Sequence, residues 1–326
     1  GSNKTVSVGT LALADGSNGG LAANYTLSGG THQLTVNQRP LNATLARQYD
    51  GTTTAAGSTL SSFNALQGGE TLTMTGSGTA ASANVANGIA MSSNGTLALA
   101  DGTGLASNYS LNSTVINIAQ RVLNSSGSKT YDANTDALAG AITLSNLVSG
   151  EALNHSGTAT ISSANAGSYT ITNLSGISIA DGSGGTASNY TLTGGTHQLT
   201  INQRPLAATI ARQYDGTTTA AGSDLSSFDA LQGGETLTLS GSGTVGDENV
   251  ANGQGVTLGS LALVNGTGLA SNYSLNSASL NITKRVLNSS GSKTYDANTD
   301  ALAAAITLSN LVSGEALNHS GTATIS

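Results

Sequence analysis

Apolar residues along this chain alternate with polar ones instead of recurring at helical spacing. Leu34 and Val36 sit two apart, as do Leu72 and Met74, Leu97 and Leu99, Ile116 and Ile118, Leu199 and Ile201, and Leu280 and Ile282, with Thr, Ser or Asn mostly filling the gaps. A period of two places one set of side chains on a core face and the other in water, which predicts half-buried strands of antiparallel sheet. The runs are broken by turn dipeptides: Asp50-Gly51, Gly68-Gly69, Asn94-Gly95, Asp101-Gly102, Gly194-Gly195 and Asn265-Gly266. Thr135 to Leu147 and Ser61 to Leu66 are given at most one helical turn each, because Gly and β-branched residues inside them oppose a longer helix.

The pattern repeats. Gln38 to Gly51 (QRPLNATLARQYDG) returns at Gln203 to Gly216 (QRPLAATIARQYDG), and a second version occurs at Gln120 to Ala133 and at Lys284 to Ala297. The tyrosines Tyr49, Tyr131, Tyr214 and Tyr295 of these stretches are 82, 83 and 81 residues apart. Two repeat types therefore alternate: type A at 38–119 and 203–283, type B at 120–202, with a second half of a repeat at 1–37 and a first half of type B at 284–326. Gln38 to Glu70 and Gln203 to Glu235 differ at only 4 of 33 positions. Gly1-Ser2 reads as a cloning scar and the chain stops in mid-repeat, so a piece of a longer protein is expected. Roughly six or seven short strands per repeat, with frequent turns, predict a small β-sandwich of immunoglobulin-like kind. A β-grasp-like module is the alternative, and a solenoid would normally show a period nearer 20 to 30 residues.

Composition narrows the function classes. Charged residues are 8% of the chain, against about 25% in typical soluble domains. The net charge is -7, and the ten Lys and Arg are spread thinly, so no basic patch for nucleic acid is expected. There is no cysteine, hence no disulfide and no thiolate site, which fits export through an oxidising compartment. No apolar run is long enough for a membrane span. Proline at Pro40 and Pro205 would stiffen the handover between repeats.

Eight of the nine tyrosines fall into two recurring sets: Tyr49, Tyr131, Tyr214 and Tyr295, and the Asn-Tyr set Tyr25, Tyr109, Tyr190 and Tyr273. They are read as core aromatics with the hydroxyl tied to backbone, the rival being exposed platforms for sugars. Asp50, Asp132, Asp215 and Asp296 follow the first set and are expected to bond their own turns. The rival there is Ca²⁺ at the junctions with Asp101 or Asp181, although no DxDxDG loop occurs. His32, His197, His155 and His319 are read as structural or solvent-facing groups rather than metal ligands. No Gly-x-Ser-x-Gly and no recurring Ser/His/Asp set is present, and Gly241 to Gly246 fits GxGxxG by coincidence, since no helical pattern follows it. No catalytic residue, metal or cofactor is expected, and the chain reads as a non-enzyme.

The Tyr-Asp-Gly/Ala turn, the Gly-Glu turn at Glu70, Glu151, Glu235 and Glu315, and the Asn-Tyr-Thr/Ser-Leu strand each recur four times. This pattern resembles the YDG-type repeats and MBG-like relatives of large bacterial surface and biofilm-matrix adhesins, including filamentous-haemagglutinin-like exoproteins. The resemblance implies a secreted or cell-surface stalk, with ligand binding commonly located elsewhere in the full protein. The expectation is an elongated rod of tandem β-modules that presents a distal binding region and bears tension, its partners being neighbouring repeats. The alternative is weak binding of exopolysaccharide or host glycans by the repeats themselves, multiplied by avidity. Ala133 and Ala297 depart from the motif glycine, which puts a left-handed turn in doubt at those two positions.

Overall fold

The computed structural model describes all 326 residues. Strands dominate, and the helical elements are three-residue 3₁₀ turns. The chain forms two compact units: Gly1–Asn124 with Leu144–His155 and Ile179–Gly195, and Ser125–Thr143 with Ser156–Ser178 and Thr196–Ser326. The division runs through the type B repeat, whose strands contribute to both units.

In the first unit β1 (Lys4–Thr5) pairs with β2 (Gln33–Leu34). The type A repeat that follows holds β3 (Arg39–Gln48), β4 (Thr54–Ala56), β5 (Leu60–Phe63), β6 (Leu72–Thr75), β7 (Ser77–Ala80), β8 (Ala86–Ser93), β9 (Ala98–Asp101) and β10 (Tyr109–Ala119). Its main sheet runs β4, β7, β8, β10, β3, β5, and β6 with β9 forms a second, two-stranded sheet. The alternation seen in sequence becomes the sandwich core. Leu41, Ala43 and Leu45 of β3 and Ile116 and Ile118 of β10 point inward with Leu72 and Met74 of β6 and the small residues Ala55 and Ala80. The strands are short and the inward residues small, so each repeat buries a modest core.

The type B repeat comprises β11 (Arg121–Val122), β12 (Asn124–Thr130), β13 (Asp136–Leu138), β14 (Ile142–Ser145), β15 (Leu153–Thr160), β16 (Gly167–Thr170), β17 (Ile177–Asp181), β18 (Tyr190–Thr191) and β19 (His197–Asn202). In the second unit β12 pairs with β19 and β13 with β15. The next type A repeat reproduces the first, with Arg204–Gln213 against Tyr273–Thr283 at its centre.

One kind of pairing departs from the antiparallel sandwich read from the sequence, and the type B repeat shows it too, with β11 parallel to β18 and β12 parallel to β19. The first and last strands of each type A repeat run parallel, from Tyr109 beside Arg39 to Ala119 beside Gln48, and from Tyr273 beside Arg204 to Thr283 beside Gln213. Alternation with period two is the same whichever way a neighbour runs, so strand direction was not written in it. The consequence is topological: the chain comes into the repeat at one end of the sheet and leaves at the other.

Two finer expectations also resolve. Thr135 to Leu147 holds a single 3₁₀ turn at Ala139–Ala141 between strands, and Ser61 to Leu66 contains no turn of helix, only the end of β5 and a bend. Ala133 and Ala297 adopt φ of 61° and 65°, beside 78° at Gly51 and 71° at Gly216. The left-handed turn therefore survives the loss of glycine, at a cost of about 1 kcal/mol per alanine. Glycine is needed at the other two positions for a second reason. A Cβ on Gly51 would lie 2.9 Å from Val148 Cγ1, and one on Gly216 would lie 3.0 Å from Val312 Cγ1, both valines belonging to the following repeat.

Candidate functional site

The recurring motifs meet where one repeat touches the next. In the first unit Glu151 receives two tyrosine hydroxyls: Tyr49 of the preceding repeat donates to Oε1 at 2.6 Å, and Tyr190 of its own repeat donates to Oε2 at 2.7 Å. The two rings pack edge to face with centroids 5.4 Å apart at 78°. The backbone N–H of Val148 donates to Tyr190 Oη at 3.1 Å, so that hydroxyl is satisfied on both sides. The second unit repeats the arrangement around Glu235. Tyr131 and Tyr273 donate to its two oxygens at 2.6 and 2.5 Å, their rings are 5.3 Å apart at 75°, and Gln232 N–H reaches Tyr273 Oη at 3.1 Å. These carboxylates lie among buried aromatics, where charge-assisted hydrogen bonds are stronger than in water.

Two further contacts secure each joint. Arg121 donates from Nε to the carbonyl of Asn146 and from Nη1 to the carbonyl of Tyr49. Arg204 does the same with Ala230 and Tyr131, and Arg285 with Asn310 and Tyr214. The fully buried Asn189 accepts from Val85 N–H at 2.9 Å and donates to Asn84 Oδ1 at 2.9 Å; Asn272 treats Ala166 and Asn165 in the same way.

Tyr49, Tyr131, Tyr190 and Tyr273 are buried where one repeat meets the next, whereas Tyr109 is buried against Leu41 and Leu72 in the core of its own repeat, as read from the sequence. The acceptor of each hydroxyl is not backbone, as read from the sequence, but a side chain about 100 residues downstream or 39 upstream. Tyr109 donates to Glu70, and Tyr214 to Glu315. Tyr25 and Tyr295 are exceptions, Tyr295 being 89% exposed where Tyr131 is 3%. At the same spacings their acceptors would fall at positions outside the 326 residues. Asp50, Asp132, Asp215 and Asp296 accept from the backbone two residues on. Each also pairs with the cation three residues before it: Arg47, Lys129, Arg212 or Lys293. Asp101 and Asp181 accept the N–H of Ala106 and Ala187, and Asn265 does so for Ala270, so a neutral acceptor serves equally well at that position. No three His, Asp or Glu side chains converge at ligand spacing. His197 is buried against Ser125 Oγ, while His32 lies beside the Leu27 carbonyl and His319 beside those of Ala303 and Ile306.

Residues 31–116, 119–199 and 195–280 match the YDG domain in three tandem copies. The chain belongs to the YDG domain family. No curated protein matches it. In these YDG domains the name-giving Tyr meets the Gly-Glu turn and the Asn-Tyr strand of the following domain, while the Asp after it bonds its own turn. Sequence reasoning had found all three motifs. It missed that the glutamate joins the two tyrosine sets and that Asn189, Asn272 and the arginines of the QR and KR stretches cross the boundary. The available signal was the recurrence of one Glu per repeat in a chain poor in charge.

The joint gives the protein an alkaline limit. Burial, and after it the hydrogen bond to Glu235 or Glu151, pushes the Tyr131 and Tyr190 hydroxyls up to about 12. Below pH 10 both folded and unfolded tyrosines are protonated and the contribution is complete. Between about 10 and 12 the unfolded chain ionises while the folded one holds its protons, so stability falls as pH rises, by about 1.4 kcal/mol per tyrosine for each pH unit crossed. A urea midpoint that drops between about pH 9 and pH 11, and drops less in a Tyr131→Phe, Tyr190→Phe double variant, is the expected result. Equal losses in the two proteins would contradict it.

Proposed function

We propose that this array of YDG domains is a tension-bearing spacer in an exported bacterial adhesin or biofilm-matrix protein, holding a distal binding region away from the cell. The observation that carries the reading is the use of the family motifs: Tyr, Glu and Asn-Tyr residues are committed to holding one domain to the next. The parallel first and last strands support it as well, since they pass the chain from one end of a domain to the other and align the paired strands with a pulling force. A surface with few charges and no cysteine suits an exported protein that folds outside the cell. In the complete domains the recurring tyrosines are occupied in the joints, so glycan binding would require another surface.

Small-angle scattering of the dilute chain tests this. A compact body of this length has a radius of gyration of about 20 Å. Under the spacer reading, four domain lengths in series, each set by strands of ten or eleven residues at about 3.3 Å per residue, would raise it to about 40 Å. A value near the compact figure overturns the spacer reading.

A further inference from the structure

We propose that the tyrosine pairs Tyr49–Tyr190 and Tyr131–Tyr273 are sites of oxidative cross-linking, where a carbon–carbon bond between the two rings turns each joint into a covalent one. The inference rests on the geometry inside each joint and does not depend on the spacer reading.

The two joints are alike in what this chemistry needs. Each holds two phenols in contact, with ring centroids 5.4 and 5.3 Å apart and planes at 78° and 75°. A phenol that has lost an electron and a proton carries its unpaired spin largely on the oxygen and on ring carbons that include the two beside it, Cε1 and Cε2. The hydroxyls of both rings end on one carboxylate, Glu151 in the first joint and Glu235 in the second, so the Cε carbons of the two rings are tied to a common point. Two rings bonded directly, with a hydroxyl beside the bond on each, are twisted out of a common plane. The pair in each joint is already twisted and has only to draw together.

The carboxylate also supplies the proton acceptor. Burial, and after it the hydrogen bond to Glu151, holds the Tyr49 and Tyr190 hydroxyls above the ordinary tyrosine range, and burial with Glu235 does the same for Tyr131 and Tyr273. At neutral pH an electron must therefore leave together with the phenolic proton, and in the first joint that proton has a glutamate oxygen 2.6 or 2.7 Å away to receive it. Each ring in turn gives one electron to an oxidant of the peroxide class and its proton, by way of the carboxylate, to water. The two radicals join at one Cε each, and the hydrogen of each joined carbon passes to the adjacent oxygen, which restores two phenols. The two electrons break the O–O bond of one peroxide, and the protein is left lighter by two hydrogens for each bond formed.

Burial decides which partner a radical meets. Tyr49, Tyr131, Tyr190 and Tyr273 are 5%, 3%, 1% and 2% exposed, so none of them can touch another molecule, and the phenol nearest to each radical is the ring that it already packs against. The bonds would close one loop from residue 49 to 190 and another from 131 to 273, and the two loops overlap. Pulled from its ends, a chain linked in this way could not be drawn out to its full length between Tyr49 and Tyr273.

Illumination of tris(bipyridine)ruthenium(II) with persulfate, itself a peroxide, tests the proposal on the full chain carrying Tyr25→Phe and Tyr295→Phe. Those changes remove two exposed tyrosines that could couple between molecules. Digestion and mass spectrometry should then find two linked peptides, one with Tyr49 and Tyr190 and the other with Tyr131 and Tyr273, each lighter by two hydrogens than the sum of its parts. Adding Tyr49→Phe should abolish the first link and leave the second, and adding Tyr273→Phe should do the reverse, so that the surviving link in each variant shows that the chain has folded and reacted. Absence of both links, or links that join other tyrosines in preference to these pairs, overturns the proposal. A first link as abundant in Glu151→Gln as in the unchanged joint overturns the route through the carboxylate.

Discussion

Tyr273→Ala is expected to destabilise the second unit by about 4 kcal/mol, the upper range for removing a buried large side chain. The ring is 2% exposed and packs edge to face on Tyr131, so its loss leaves a cavity between two domains as well as an unfilled oxygen on Glu235. Tyr25→Ala provides the internal control. The same motif residue there is exposed, and the change should stay within about 0.5 kcal/mol. Urea unfolding of the two variants, followed by far-ultraviolet circular dichroism, measures the difference. Equal shifts at the two positions would show that the Asn-Tyr strand is stabilised within its own domain and not by the joint.

Glu235→Leu comes next, at about 3 kcal/mol. Leucine fills similar space but leaves the hydroxyls of Tyr131 and Tyr273 buried with no acceptor, and each unsatisfied group carries its own desolvation penalty. Glu235→Gln should cost much less, about 1 kcal/mol, because the amide can accept from one hydroxyl and donate to the other. The two residues form a unit, so Glu235→Leu combined with Tyr131→Phe should cost less than the sum of the single changes; strict additivity would mean that the hydrogen bond contributes nothing.

The alternation of Leu72 with Met74 and of Ile116 with Ile118 announced strands and named the inward residues, and it did so because burial on one face of a pleated strand follows a fixed two-residue period. The repeat length and the turns were legible for an equally local reason: Asp-Gly and Gly-Glu dipeptides act within a few residues of themselves. Strand direction was not, since β3 and β10 alternate identically whether they run parallel or antiparallel. The role of Glu151 was equally hidden. Nothing near it in the chain names Tyr49, 102 residues away, or Tyr190, 39 residues away, as its donors.

The amino-acid sequence by itself determined that this protein is an all-β array of YDG domains, with apolar strand faces and self-bonded Asp turns in its complete repeats, because each of those features depends on short-range periodicity or on a motif repeated in place. Only the tertiary structure decided that the motifs belong to the joints and that the first and last strands of the type A domains lie side by side in parallel. Both are relations between residues distant in the chain, and a hydrogen bond or a strand pairing at such separation is selected by the packing of the folded domains against each other, which no local pattern encodes.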